Sequence, residues 1–200
     1  MGYVGAIVTQ NVVDTADIAD GSITTAKLAT NAVRDEMPSG SVIQTVQTKL
    51  TSTVSIGSIG VGAESGNVSG FTRTITPISS SNKILVTLNA GIGNGTLDQS
   101  GTITLYRDDA KVTDFVGDTA GSRKRTSTGN MGSGNPRDIS QLTFTYLDSP
   151  SSTSELTYSI RVSHNDGASQ SLYLNRSADD NDANYASRMA SAMILQEIKG

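Results

Sequence analysis

LTFTYLDSPSSTSELTYSIRV, residues 142–162, decides how this chain folds. Leu142, Phe144 and Tyr146 alternate with Thr143 and Thr145, the period-two pattern of a strand with one face in a core. Asp148-Ser149-Pro150 then breaks the run with residues that favour turns, and alternation resumes at Leu156, Tyr158, Ile160 and Val162. The same texture recurs at Val42/Val46, Ile84/Val86/Leu88, Ile103/Leu105 and Met189/Ser191/Met193/Leu195. Between these runs lie further turn signals, Arg107-Asp108-Asp109 and the hairpin-type Asn165-Asp166-Gly167. Eight to ten short strands joined by turns predict an all-β fold, an antiparallel β-sandwich of jelly-roll type.

Composition agrees with that class. The 200 residues are 36% hydrophobic and only 4% aromatic, with no Trp and 20 Gly, which suits short strands and many turns. That length predicts one sizeable domain and an appendage. With no Cys there is no disulfide framework and no thiolate metal site. The net charge of −4 argues against nucleic acid as a partner, because neutralising phosphates takes a concentrated basic face. No window reaches the ~18 apolar residues of a membrane span, and MGYVGAIVTQ lacks the basic start of a signal peptide. The expectation is a soluble protein made in a cytoplasm, with no membrane insertion.

The N-terminal segment has a different register. Val8, Val13, Ile18, Ile23, Leu28 and Val33 fall five residues apart. A helix would scatter them around its axis, and a strand would flip them from face to face at every step. Small residues precede several of them at Ala16, Gly21 and Ala26, a pattern that resembles the pentapeptide repeat. One coil cannot bury its own core, so this aliphatic row predicts a stalk in which several chains intertwine. Pro38-Ser39-Gly40 ends it. The predicted division is 1–38 for attachment and stalk, and 39–200 for a β-sandwich head.

Several phrases occur in one order: TPISSSNKILV (76–86), GDTAGSRKRTSTG (117–129), the quoted 142–162 stretch, LYLNRSADDNDANYASR (172–188) and SAMILQEI (191–198). Together they resemble the C-terminal β domain of tail-fibre and related virion fibre proteins of aquatic, marine or cyanobacterial, bacteriophages. DGSITTAKLATNAV (20–33) likewise resembles the stalk repeats that precede such domains. The resemblance implies a homotrimeric virion appendage synthesised in the host cytoplasm. Its N-terminal segment would dock on other virion proteins, and its outward head would adhere to a host-surface glycan or protein. A capsid-decorating head fibre or cement protein is the alternative within that family, and a surface-polysaccharide depolymerase is the enzymatic one.

No catalytic site, cofactor or metal centre is predicted. His164 is the sole histidine and adjoins the 165–167 turn, where a solvated loop residue is expected. Nineteen acids allow carboxylate pairs, but no spacing singles one out as a glycosidase would require. Asp179-Asp180-Asn181-Asp182 offers oxygen ligands without the alternating spacing of a Ca²⁺ loop, and reads as a solvated loop. These acids could instead meet Arg176, Arg188 or Arg123-Lys124-Arg125 across a subunit boundary. Arg123, Lys124 and Arg125, with Tyr173 and Arg176, are the candidate receptor or interface residues. Gly91-Ile92-Gly93-Asn94-Gly95 lacks the Lys-Ser/Thr and helix of a phosphate loop and reads as a turn. Residues 189–198 carry apolar side chains of both parities, so an interior strand covered on both faces is expected.

Overall fold

The computed structural model describes residues 32–200 apart from 61, 95–100, 131–134 and 165–168. The chain divides into two compact units, Met1–Pro38 and Ser39–Gly200. In the first, a short helix α1 (Ala32–Asp35) carries Val33 at 61% exposure. The rest of the five-residue row, Val8, Val13, Ile18, Ile23 and Leu28, lies outside the described residues, as does the 165–167 turn.

The second unit is built from strands β1 (Val42–Leu50), β2 (Val54–Ile59), β3 (Thr72–Ile75), β4 (Lys83–Asn94) and β5 (Gly101–Arg107). The return half is β6 (Ala110–Lys111), β7 (Ile139–Asp148), β8 (Leu156–His164), β9 (Gln170–Leu174) and β10 (Ser191–Ile198). All pairings are antiparallel and follow one rule: β1 meets β10, β2 meets β9, β3 meets β8, β4 meets β7 and β5 meets β6. The chain is one long ribbon folded back on itself at the β5–β6 turn. Asp108 and Asp109 form that turn, both with positive φ, the two-residue hairpin whose twist matches its strands.

Rolling the ribbon adds the remaining ladders. One edge of β4 takes β7; the other takes β10 along Lys83–Asn89 and β9 along Ile92–Asn94. Strand β8 likewise gains β5. Two sheets result, one of six strands and one ordered β3-β8-β5-β6. β9 and β10 lie end to end on β4, and β1 and β2 match them, so each pair is one interrupted strand. Counted that way the fold is an eight-stranded jelly roll, as the sequence predicted.

The core lies between the sheets. Ile84, Val86 and Leu88 of β4 meet Ile103 and Leu105 of β5, Tyr158, Ile160 and Val162 of β8, and Met193 and Leu195 of β10. β10 sits between β1 and β4, an interior strand as expected, with Ser191, Met193, Leu195 and Glu197 buried and the alternate residues half-buried. The short strands β2, β3, β6 and β9 gave too few alternating residues to be predicted.

The 91–95 stretch corrects the sequence reading, because Gly91 to Asn94 continue β4. Glycine is required there by close approach. A Cβ on Gly93 would overlap the carbonyl oxygen of Arg176 and stand 3.0 Å from Ser177 Cα; one on Gly91 would collide with the Met189 side chain.

Candidate functional site

The register fixes two ends for this unit. Gly40 N–H donates to the Lys199 carbonyl (2.8 Å) and Lys199 N–H to that of Ser41 (2.9 Å), so first and last strands are stapled at one end. Ile198 pairs Lys83, and Ile84 pairs Asp148, which places the 149–155 turn and the start of β8 at that same end. His164 closes β8 at the opposite end, ~26 Å away at strand rise.

His164 is not the solvated loop residue that its neighbours suggested. It is 1% exposed, and its Nε2 is 2.8 Å from the Ile59 carbonyl, which ties β8 to β2. Its own carbonyl accepts the Lys124 ammonium at 2.6 Å.

Lys124 belongs to the long connection from β6 to β7. Phe115 anchors its beginning, stacked on Tyr146 at 4.3 Å and edge-on to Phe144 at 5.1 Å. Farther on, Ser127 and Thr128 run along the edge of β5. Both their N–H groups donate to the Ile103 carbonyl, while Thr128 Oγ1 accepts from Ile103 N and Ser127 Oγ from Leu105 N. Hydroxyls thus satisfy a sheet edge that would otherwise invite another strand. Between these anchors the connection turns at Gly121, with positive φ, and presents Arg123, Lys124 and Arg125.

These three cations line an open cleft of about 350 Å³ with Gly62, Glu64, Lys111 and Ser122. Glu64 accepts from Tyr106 Oη, from Lys111 Nζ at 2.9 Å and from Thr104 Oγ1 at 3.1 Å. Burial raises the Glu64 carboxyl, but these donors outweigh it and hold the group below its usual range. The Tyr106 phenol is pushed up to about 12 by desolvation and by the adjoining carboxylate. Burial lowers the Lys124 ammonium, opposed by Glu64 and reinforced by Lys111. Arg161 covers Tyr106 at 4.0 Å from the ring centre and bonds Asn67.

Tyr173 and Arg176 form a separate cluster. Arg176 stacks on Tyr173 at 3.8 Å and donates to the Ser177 and Ala178 carbonyls. It opens the 175–190 excursion between β9 and β10, whose ends Asn175 clamps by donating to the Leu50 and Ser52 carbonyls while accepting from Ser191 Oγ. Within the excursion Arg188 Nη2 donates to both Asp180 carboxylate oxygens (2.8 and 2.9 Å) and Asn181 donates to Asp179, while Arg137 of the β6–β7 connection pairs Asp179 at 3.4 Å and stacks over Tyr185. The acids meet Arg137, Arg176 and Arg188 of their own chain. Among the described residues no group of three or more His, Cys, Asp or Glu is placed to hold a metal. No helix described is long and apolar enough to cross a membrane.

The sequence pointed to Arg123, Lys124 and Arg125 but missed Glu64, Tyr106 and Lys111. Glu64 is a single acid in a Gly- and Ser-rich stretch, and only the fold brings it across β8 to β5. No family model matches the chain, and no curated protein does. Solved structures that overlap it include infectious bursal disease virus Gt strain (10% identity, TM-score 0.41, 78% of this chain and 38% of that one). A VP2 subviral particle of infectious bursal disease virus also overlaps (11%, 0.40, 80% and 39%). So do derived T=1 particles of that virus (13%, 0.39, 80% and 38%). The chain spans under two fifths of each of these proteins, and overlap so slight assigns no function.

Proposed function

We propose that this chain is a non-enzymatic virion surface protein, a bacteriophage fibre or fibre tip, whose β-sandwich adheres to the host surface. The observation that carries the proposal is the polarity of the head. Its first and last strands are stapled at one end, while Lys124 is anchored to His164 at the other. A module held at its point of chain entry would present the cationic cleft away from its mount. The phrases that resemble phage fibres also fall on this framework: 117–129 is the cleft loop, 142–162 covers β7 and β8, and 191–198 is β10.

The homotrimer belongs to the same proposal. Three weak sites on one rigid particle raise avidity through effective concentration. The outer face of the six-stranded sheet suits the contact, with Gln47, Ile194, Thr87 and Thr145 in one row and Gln196, Leu85 and Leu147 in the next, none of them charged. Sedimentation at the mass of a single chain at micromolar concentration would refute the trimer. Electron microscopy of particles with gold-labelled antibody to the head is the test of place. Gold at appendage tips is expected; gold spread over the capsid would favour the decorating-fibre alternative, and unlabelled particles would refute both.

A further inference from the structure

Donor arithmetic in the cleft shows a binding capacity that the fold does not use. Lys111 is neutralised by Glu64, and three of the Glu64 lone-pair sites are filled. Lys124 spends two N–H groups on the carbonyls of His164 and Ala63. Among the described residues Arg125 gives only its Nε–H, to the Gly117 carbonyl at 2.6 Å. The Arg123 guanidinium makes no hydrogen bond or ion pair among the described residues, and its backbone N–H closes the turn onto Ala120. Two guanidinium groups and one ammonium N–H therefore line an open concavity, and among the described residues no ion pair neutralises them.

Arginine forks match the paired oxygens of carboxylate, sulfate and phosphate groups, and lysine adds a point charge. The framework is rigid where it needs to be. Phe115, Ser127 and Thr128 hold both shoulders of the loop, and Lys124 fastens its middle to β8. A volume of about 350 Å³ is at the small end of ligand pockets, enough for one substituted sugar and not for a duplex groove. The net charge of −4 disfavours diffuse binding of an extended polyanion.

We propose that the cleft between Glu64 and the 123–125 loop binds one oxyanion-bearing sugar unit of an acidic polysaccharide, with Arg123 and Arg125 as the forks and Lys124 as the anchoring cation. This rests on the adhesion reading above and names its ligand class. Glu64 contacts no ligand; it holds Lys111 and Tyr106 as the floor.

The test uses the full chain in affinity electrophoresis through gels containing dextran sulfate, polygalacturonate or neutral dextran. Retardation by at least one acidic polymer and none by neutral dextran is expected; the polymer that retards it distinguishes sulfate from carboxylate. Arg123→Gln, which removes no side-chain hydrogen bond or ion pair made among the described residues, should weaken retention about tenfold, the lower range for a charge-assisted bond. Arg73→Gln, which removes the same charge from exposed β3, should change it less than twofold. Equal losses in the two variants would mean diffuse electrostatics and overturn the proposal, as would absence of retention by both acidic polymers or tighter binding to duplex DNA. Antibody-labelled tips on particles whose protein ignores acidic polysaccharide would refute the cleft and leave adhesion standing. Retention by a protein absent from particles would do the reverse.

Discussion

Gly93→Ala tests the close packing that the sequence concealed. The residue sits in β4, paired with Ile139 of β7 on one side and Tyr173 of β9 on the other, so the backbone cannot slide in the plane of the sheet. Perpendicular to it, the new methyl would overlap the Arg176 carbonyl oxygen and press on Ser177 Cα at 3.0 Å. Both obstacles are backbone at the start of the 175–190 excursion, and Asn175 pins that start with four hydrogen bonds to Leu50, Ser52, Ser191 and Gly91. Relief must come from moving the excursion, at the upper range for overpacking, about 3 kcal/mol. For a domain of this size that lowers Tm by about 6–12 °C. Gly91→Ala is the matched control. Its methyl meets the flexible end of Met189, which can change rotamer, so about 1 kcal/mol is expected. Urea titration and differential scanning calorimetry of both variants measure the difference. A Gly93→Ala protein within about 1 kcal/mol of wild type, or less harmed than Gly91→Ala, would refute the claim that backbone contact dictates glycine here.

Three other perturbations have definite expectations. Glu197→Ala leaves Asn82 Nδ2 and Ile78 N–H without their acceptor in a buried site, and should cost about 2–4 kcal/mol by chemical denaturation; Glu197→Gln keeps one acceptor oxygen for both and should cost less than half as much. Desolvation and Glu64 raise the Tyr106 pKa from 10.0 to about 12, so the folded state keeps a proton that the unfolded chain loses, and stability should fall from about pH 10 to 12. Tyr106→Phe should flatten that part of the urea midpoint's pH profile, and an unchanged slope would show that the phenol ionises alike in both states. Deleting 191–200 removes the strand between β1 and β4 with Met193 and Leu195, and should abolish soluble protein; a truncated form with an unchanged thermal midpoint would show that β10 is peripheral.

The sandwich was legible because its long strands bury one face. Leu142 to Tyr146 and Leu156 to Val162 repeat every second residue over a turn, and that period leaves little else to fit. Failures came where tertiary contact overrode local signal. Gly91 and Gly93 read as a turn because glycine marks turns more often than close approaches, and only Arg176, distant in sequence, reveals the difference. His164 read as a loop residue because Asn165-Asp166-Gly167 follows it, yet β2 arrives from more than a hundred residues away to bury it. At the cleft, clustering made Arg123, Lys124 and Arg125 visible, whereas Glu64 is distant in sequence from the β5–β6 hairpin that supplies Tyr106 and Lys111, and their meeting depends on the ribbon's register.

The ribbon also explains where charge can accumulate without disturbing the fold. Every paired strand has its backbone committed on at least one edge, so insertions are tolerated only where the two halves of the ribbon need not match in length. The break between β1 and β2 is short, 51–53, but the facing break between β9 and β10 runs from 175 to 190. The excess leaves the sheet there and folds on itself, with Arg176 and Arg188 both pairing Asp180, while Arg137 of the β6–β7 connection reaches over to Asp179. The other long mismatch, from β6 to β7, holds Asp114, Asp118 and Asp138 as well as Arg123, Lys124, Arg125 and Arg137, but among the described residues no ion pair joins an acid to the 123–125 cations. The 175–190 arginines spend their charge on acids of the excursion, whereas Arg123, Lys124 and Arg125 enter no ion pair among the described residues. That asymmetry, rather than the number of cations in either, is why the 123–125 loop is the stronger candidate for contact with another molecule.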